Sequence, residues 1–243
     1  VIHVPQGCPT VEKAMALAMI FSERKEYTEA DPLKIRLEMG VHEIVGYGKR
    51  LNVTCSHMTF VGKGKDQTTI CGGFNVHNQQ NVTFEELTIT HGGGGRGLYL
   101  AGSETTVDVL KCIVKECGGT GMSVYDGATV TATQCEFMEN GYNGVFCRDA
   151  NTKARLNDCT MHHNGNHGLW AYVDAVVDLH GTKTADIHSN EGHGIHAFDC
   201  AKVNIHLPSQ HNTSHDNVGE DRHQGTGGSI ANINDDGTFT HVH

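Results

Sequence analysis

Apolar residues alternate with polar ones along most of the chain, which is the period of a strand and not of a helix. After Gly121, Met122 and Val124 fall on one face while Ser123 and Tyr125 fall on the other. In the next stretch, ATVTATQCEFME (128–139), Val130 and Ala132 keep to the inward face and a polar bend falls at Gln134. Cys135 and Phe137 then resume the inward face, and Asn140-Gly-Tyr-Asn-Gly turns the chain back. The same phrase returns as CIVKECGGTGMS (112–123), CEFMENGYNGVF (135–146), CTMHHNGNHGLW (159–170) and DIHSNEGHGIHA (186–197). Aligning the copies gives one column of Cys117, Asn140, Asn164, Asn190 and Asn217. A second column holds Gly121, Gly144, Gly168 and Gly194, in steps of 23, 24 and 26.

A fixed period of this length marks a solenoid. Three short strands and three bends per repeat predict an all-β parallel β-helix, its coils stacked ~4.8 Å apart with like residues above like. An earlier pair, NVTCSHMTF (52–60) and NVTFEELTI (81–89), extends the solenoid from about Leu33 to about Asn232, some eight coils. Inward columns follow: Cys112, Cys135 and Cys159 in one, Val114, Phe137, Met161 and Ile187 in another. The asparagines are expected to bond the coils above and below and to accept a left-handed backbone. The glycines are expected to allow the tight return into the next strand. An open solenoid end needs a cover. Thr10–Phe21 predicts a helix for that role, N-capped by Thr10, with Val11, Ala14, Met15, Ala18 and Phe21 on one face. The reading is thus a single domain: a strand and capping helix over 1–32, the β-helix over 33–232, and a terminal strand or tail over 233–243.

The openings VPQGCPTVEKAMALA (4–18), KIRLEMGVHEI (34–44) and MTFVGKGKDQTTICGGFNV (58–76), with the repeats at 97–217, resemble right-handed parallel β-helix proteins of the pectate-lyase-like superfamily. The resemblance is to its generic β-helix repeat, of the carbohydrate-binding and sugar-hydrolase type. It implies a protein that binds or processes polysaccharide, as a lyase, hydrolase or epimerase, although the fold also serves proteins without catalysis. Branch signatures do not carry over. Gly192-His193-Gly194 resembles one polygalacturonase motif, but the companion Asn-Thr-Asp and Arg-Ile-Lys motifs are missing, and Asp235-Asp236 follow it in the wrong order. The Asp-Pro-His core of mannuronan epimerases is absent as well.

Composition narrows the partners. A net charge of −10 argues against nucleic acid. It also disfavours a polyanionic sugar unless cations mediate the contact. No stretch of 18 apolar residues suggests a membrane span. Nine cysteines, an odd number without a CxxC pair, predict reduced core thiols. Three sequons begin at Asn52, Asn81 and Asn212. Used sequons would mean secretion, and nine reduced cysteines an intracellular home. A monomer is expected.

Function in a solenoid falls to its outward columns. After each return glycine the first column reads Tyr99, Ser123, Phe146, Trp170, His196, and the second Ala101, Tyr125, Arg148, Tyr172, Phe198. Asp126, Asp149, Asp174 and Asp199 follow at the exit bend. Rings stack on sugar faces, which makes Tyr99, Tyr125, Phe146, Trp170, Tyr172 and Phe198, with Asp199, the expected substrate-binding set. Asp126 and Asp149 as paired carboxylates, Arg148 facing a uronate and His196 as a base make the expected catalytic set. The structural alternative has the rings shield the sheet and the aspartates cap turns. The functional alternative is a non-catalytic scaffold that binds protein. Histidines number 18. His162, His188 and His215 form one outward column, and His167 and His193 another, as candidate ligands for zinc or copper. Calcium would instead use Asp126, Asp149 and Asp199.

Overall fold

The computed structural model describes residues 1–181, 186–206, 213–234 and 236–241. Among these residues the strands assemble into three sheets, one of eleven strands and two of eight. Each coil gives one strand to each sheet in turn. One coil, for example, runs through Met122–Tyr125, Thr129–Thr133 and Glu136–Met138. Neighbouring coils pair in parallel, with Val114 beside Phe137, Phe137 beside Met161 and Met161 beside Ile187. The fold is the parallel β-helix of about eight coils that the alternation predicts. Inward residues such as Met122, Val124, Val130, Ala132 and Phe137 are buried in one continuous core.

The bends work differently from the sequence expectation in two respects. Asn140, Asn164 and Asn190 do form a ladder, each Oδ1 accepting the backbone N–H one coil below at 3.1–3.2 Å. The left-handed residue, however, is the one before each: Glu116, Glu139, His163, Ser189 and Asp216 have φ of 51–55°. The ladder asparagine is therefore chosen for its amide, which serves as donor and acceptor together. The return glycines are likewise chosen for space and not for φ. A Cβ on Gly168 would lie 2.5 Å from Ile187 Cγ2 and 2.8 Å from the Gly194 carbonyl oxygen.

A helix covers the N-terminal end. The helix spans Val11–Ser22, with the Thr10 side chain accepting from Lys13 N–H at 3.3 Å. Val11, Ala14, Met15 and Ala18 are buried, and Phe21 packs partly against the core. Ile2–Val4 pairs in parallel with Leu33–Leu37 as the first strand of the long sheet. At the far end Phe239–His241 folds back antiparallel on Ser229–Ile233, which ends the parallel stacking. Asp235, Val242 and His243 lie outside the described residues, as does the sequon residue Asn212. Of the other sequon asparagines, Asn52 is exposed, whereas Asn81 bonds the His57 ring at 3.1 Å. No helix among the described residues is long and apolar enough to cross a membrane.

All nine cysteines are free. Cys112, Cys135 and Cys159 direct their thiols at backbone carbonyls of their own or the preceding coil, at 3.2–3.5 Å. Burial pushes the Cys117 and Cys147 thiols up to about 12. Thiolate is the reactive form. A native thiol titration at pH 8 should therefore count Cys200 at once and Cys71 more slowly, the two that are not buried. The other seven should appear only on unfolding. A third fast thiol would contradict this packing.

Candidate functional site

The two outward columns lie in one eight-stranded sheet and in the predicted register. Tyr99 pairs with Ser123, Ser123 with Phe146, Phe146 with Trp170 and Trp170 with His196. Beside them Ala101 pairs with Tyr125, Arg148 with Tyr172 and Tyr172 with Phe198. The rings form an unbroken run. Centroids are 5.3 Å apart from Tyr99 to Tyr125, 5.5 Å to Phe146 and 4.8 Å to Trp170. The run continues at 5.6 Å to Tyr172 and 5.9 Å to Phe198. Ser123, between Tyr99 and Phe146 in its column, is fully buried although it points outward. Phe146 is itself nearly covered, while Tyr99, Tyr125, Trp170, Tyr172 and Phe198 remain partly open.

Cations sit on this face. The Arg96 guanidinium lies 5.4 Å from the Tyr99 ring centroid and 5.5 Å from that of Tyr125, and Arg148 lies 5.4 Å from that of Tyr172. Such contacts hold the guanidinium planes near the rings and leave N–H groups free to meet a ligand. The carboxylates are placed otherwise. Asp126, Asp149, Asp174 and Asp199 all have left-handed backbones, φ 54°, 81°, 57° and 54°. Asp149 also accepts from Arg148 Nε at 3.2 Å. Their conformation gives each a turn role, which is the structural reading of these residues.

Beside the ring run stands a second ladder, which the sequence reading missed as a ladder. Asn143 Oδ1 accepts the backbone N–H of His167 at 3.1 Å. His167 Nδ1 accepts the N–H of His193 at 2.9 Å, and His193 Nδ1 that of Glu220 at 2.8 Å. Glycine makes the room: a Cβ on Gly192 would sit 2.7 Å from His167 Nδ1, and one on Gly219 2.7 Å from His193 Nδ1. Gly192-His193-Gly194 is thus a coil device: room for the ring below, a rung, and the return glycine.

These bonds fix the protons. A ring nitrogen that accepts carries no hydrogen, so neutral His167 and His193 are protonated at Nε2. His167 Nε2 then donates to His196 Nδ1 at 3.2 Å. His196 in turn carries its proton at Nε2, which is buried without a partner, as is the Trp170 indole Nε1. Burial, followed by the neighbouring imidazoles, lowers His167 to about 3 and His196 to about 4. His193 is lowered too, by burial and then by His223. At neutral pH His196 is therefore an N–H donor. The base role expected for it does not fit, because its accepting nitrogen is already engaged.

The same kind of geometry describes the candidate metal residues. His162, His188 and His215 do stack, with centroids 5.0 and 5.3 Å apart. They meet by their faces, and their nitrogens point to separate partners. His162 reaches Glu136 at 2.9 Å, His188 reaches Ser189 at 3.0 Å, and His215 reaches Asp216 at 2.8 Å and Asp186 at 3.2 Å. Among the described residues one set of possible ligand atoms does converge: His167, His193 and His196, within 4.8 Å of one another. Its protons are wrong for zinc or copper. A ligating histidine binds with a lone pair and donates its other N–H to an acceptor. Here the lone pairs of His167 and His193 are taken by backbone N–H groups. Asp126, Asp149 and Asp199, the residues of the calcium alternative, are not in that converging set.

A protein-family model described as right handed beta helix region matches residues 72–241, more than half of the chain. No curated protein matches. Among solved structures the fold is similar to the A-module of Azotobacter vinelandii mannuronan C-5 epimerase AlgE4. That match has a TM-score of 0.50 and 15% identity, and covers 86% of this chain and 74% of that one. ORF18 of Geobacillus virus E2 is similar at TM-score 0.47 and 10% identity, over 83% of this chain and 53% of that one. At these identities the likeness is one of fold.

Proposed function

The chain belongs to the right-handed β-helix family, and from that premise we propose that its ringed face binds a polysaccharide or oligosaccharide lying along the solenoid axis. The observation that carries this reading is the unbroken run from Tyr99 to Phe198 on one sheet face. From Tyr99 to Phe198 are four strand steps, ~19 Å at ~4.8 Å each, a platform for several sugar rings. Solvent-facing rings offer flat apolar surface to pyranose faces. Arg96, and Arg148 through the N–H groups not bonded to Asp149, offer cations to a carboxylated sugar. The reading is of binding, because Asp149 is paired with Arg148 and the accepting nitrogen of His196 is engaged by His167.

Trp170 is the sole tryptophan, so its fluorescence reports directly on the face. Titration with mannuronan and galacturonan oligomers, and with a neutral glucan as control, should shift its emission. Trp170→Ala should weaken binding of the acidic oligomers at least tenfold, measured by calorimetry, about 1.4 kcal/mol or more. Arg148→Gln should reduce acidic binding and leave any neutral binding unchanged. If no glycan binds while Trp170→Ala weakens association with a protein, the face is a protein-docking scaffold and this reading falls.

A further inference from the structure

The ladder beside Trp170 is built in two materials. Asn143 supplies an amide oxygen, which does not titrate, whereas His167 and His193 supply ring nitrogens that do. We infer that His167 and His193 are acid-labile rungs, so that weak acid makes two inter-coil hydrogen bonds under the C-terminal end of the ringed face easier to open and so loosens its hold on a ligand. That the ligand is released rests on the proposed function; the easier opening of the rungs does not.

Geometry gives the reason. A second proton on His167 or His193 must go to Nδ1, the atom that already faces the N–H of His193 or Glu220. Two donors then confront each other and the rung must open. The cluster cannot absorb the charge in place. His193 lies 5.1 Å from His167 and 4.3 Å from His223, and His196 lies 4.7 Å from His167. The carboxylate acting on these rings is Glu220, which is bonded to His223 at 3.0 Å. Asp221 is engaged by the Asn217 amide at 2.9 Å, and Arg222 pairs in register with the inward Ile195. The coil on the other side offers the uncharged Asn143 and Phe146. Trp170 is 5.4 Å from the His167 ring, so disorder at the rung reaches the binding face directly.

The sign follows from the lowered folded values of the two rungs, about 3 for His167 and, by burial and then His223, below the ordinary histidine value for His193. Closed rungs refuse protons that the opened rings accept near the ordinary histidine value of ~6.5. The stabilisation is full above that value and falls as pH drops below it, by up to ~30-fold in opening equilibrium at pH 5 for each ring released.

Amide hydrogen exchange, expressed as protection factors at pH 7.5 and 5.0 without ligand, tests the rungs independently of any sugar. The His193 and Glu220 amides should lose protection by ~10–30-fold, while Asn140 and Asn164, which donate to asparagine rungs, hold theirs. The double variant His167→Asn, His193→Asn copies the Asn143 rung and should make His193 and Glu220 insensitive to this change. If the double variant is unfolded by circular dichroism, His193→Asn alone should protect Glu220 and leave His193 acid-sensitive. Equal loss at all four amides in the parent, or persistent acid sensitivity in the asparagine variants, overturns the inference.

Discussion

Asn164→Ala is expected to cost the solenoid about 3–5 kcal/mol, a large fraction of the roughly 5–15 kcal/mol that holds an ordinary domain. The side chain is completely buried. Its Nδ2 donates to the Phe137 carbonyl at 3.1 Å and to Asn190 Oδ1 at 2.9 Å. Its Oδ1 accepts from the Asn140 backbone at 3.2 Å and from Asn140 Nδ2 at 3.0 Å. Alanine leaves a carbonyl and an N–H unpaired where water cannot reach, and each such orphan costs roughly 1–3 kcal/mol. Asn164→Asp separates this account from simple loss of volume. It keeps the acceptor, loses the donor and buries a charge, so it should be the worse variant at pH 8 and recover part of the loss towards pH 5. Urea midpoints by far-UV circular dichroism read both effects. A loss below about 1 kcal/mol for the alanine variant would mean that the ladder is ornamental.

Much of this is legible in the sequence because a strand has period two and a solenoid stacks like on like. The columns through Trp170 and Tyr172 and the inward Val114–Ile187 column can be placed by counting alone. Counting does not say which atom a side chain uses. Asn140 and its equivalents are rungs, as their repetition suggests, but the left-handed turn belongs to Glu139 and its equivalents, and the two positions are adjacent and both polar. His162, His188 and His215 share a column, yet whether rings in a column converge on an ion or stack by their faces depends on rotamers that spacing does not encode. For His167 and His193 a signal is present. Glycine stands one residue before His193 and before Glu220, and each of these glycines lies over the histidine ring of the coil before it. A glycine that follows a histidine by one repeat, just before the next rung, is what a ring nitrogen needs to reach a backbone N–H. The aspartates show the opposite limit: a column of outward acids has the same spacing whether it binds sugar or merely turns the chain.

Phe84→Ala should strike as hard as the ladder variant but elsewhere, by about 3–5 kcal/mol. Phe60 and Phe84 stack across neighbouring coils at 5.3 Å, and Phe74 packs against them at 5.1 and 4.8 Å. All three are fully buried, and no comparable set of rings fills the core around Trp170, where Ala171, Ala175 and Ala197 face inward. A coil touches only its neighbours, so the loss stays local in a solenoid and need not spread along it. Phe84→Ala should therefore split the urea transition. Circular dichroism would fall first as the N-terminal coils melt, while Trp170 fluorescence and binding at the ringed face follow later. Asn164→Ala, close to Trp170 in the chain, should move both probes together. Coincident transitions in Phe84→Ala would show that the solenoid unfolds as one cooperative body. In that case the ringed face would draw its stability from the aromatic core that adjoins its first coil, where Phe74 pairs with Leu98 and Phe84 with Val109, as well as from its own rungs.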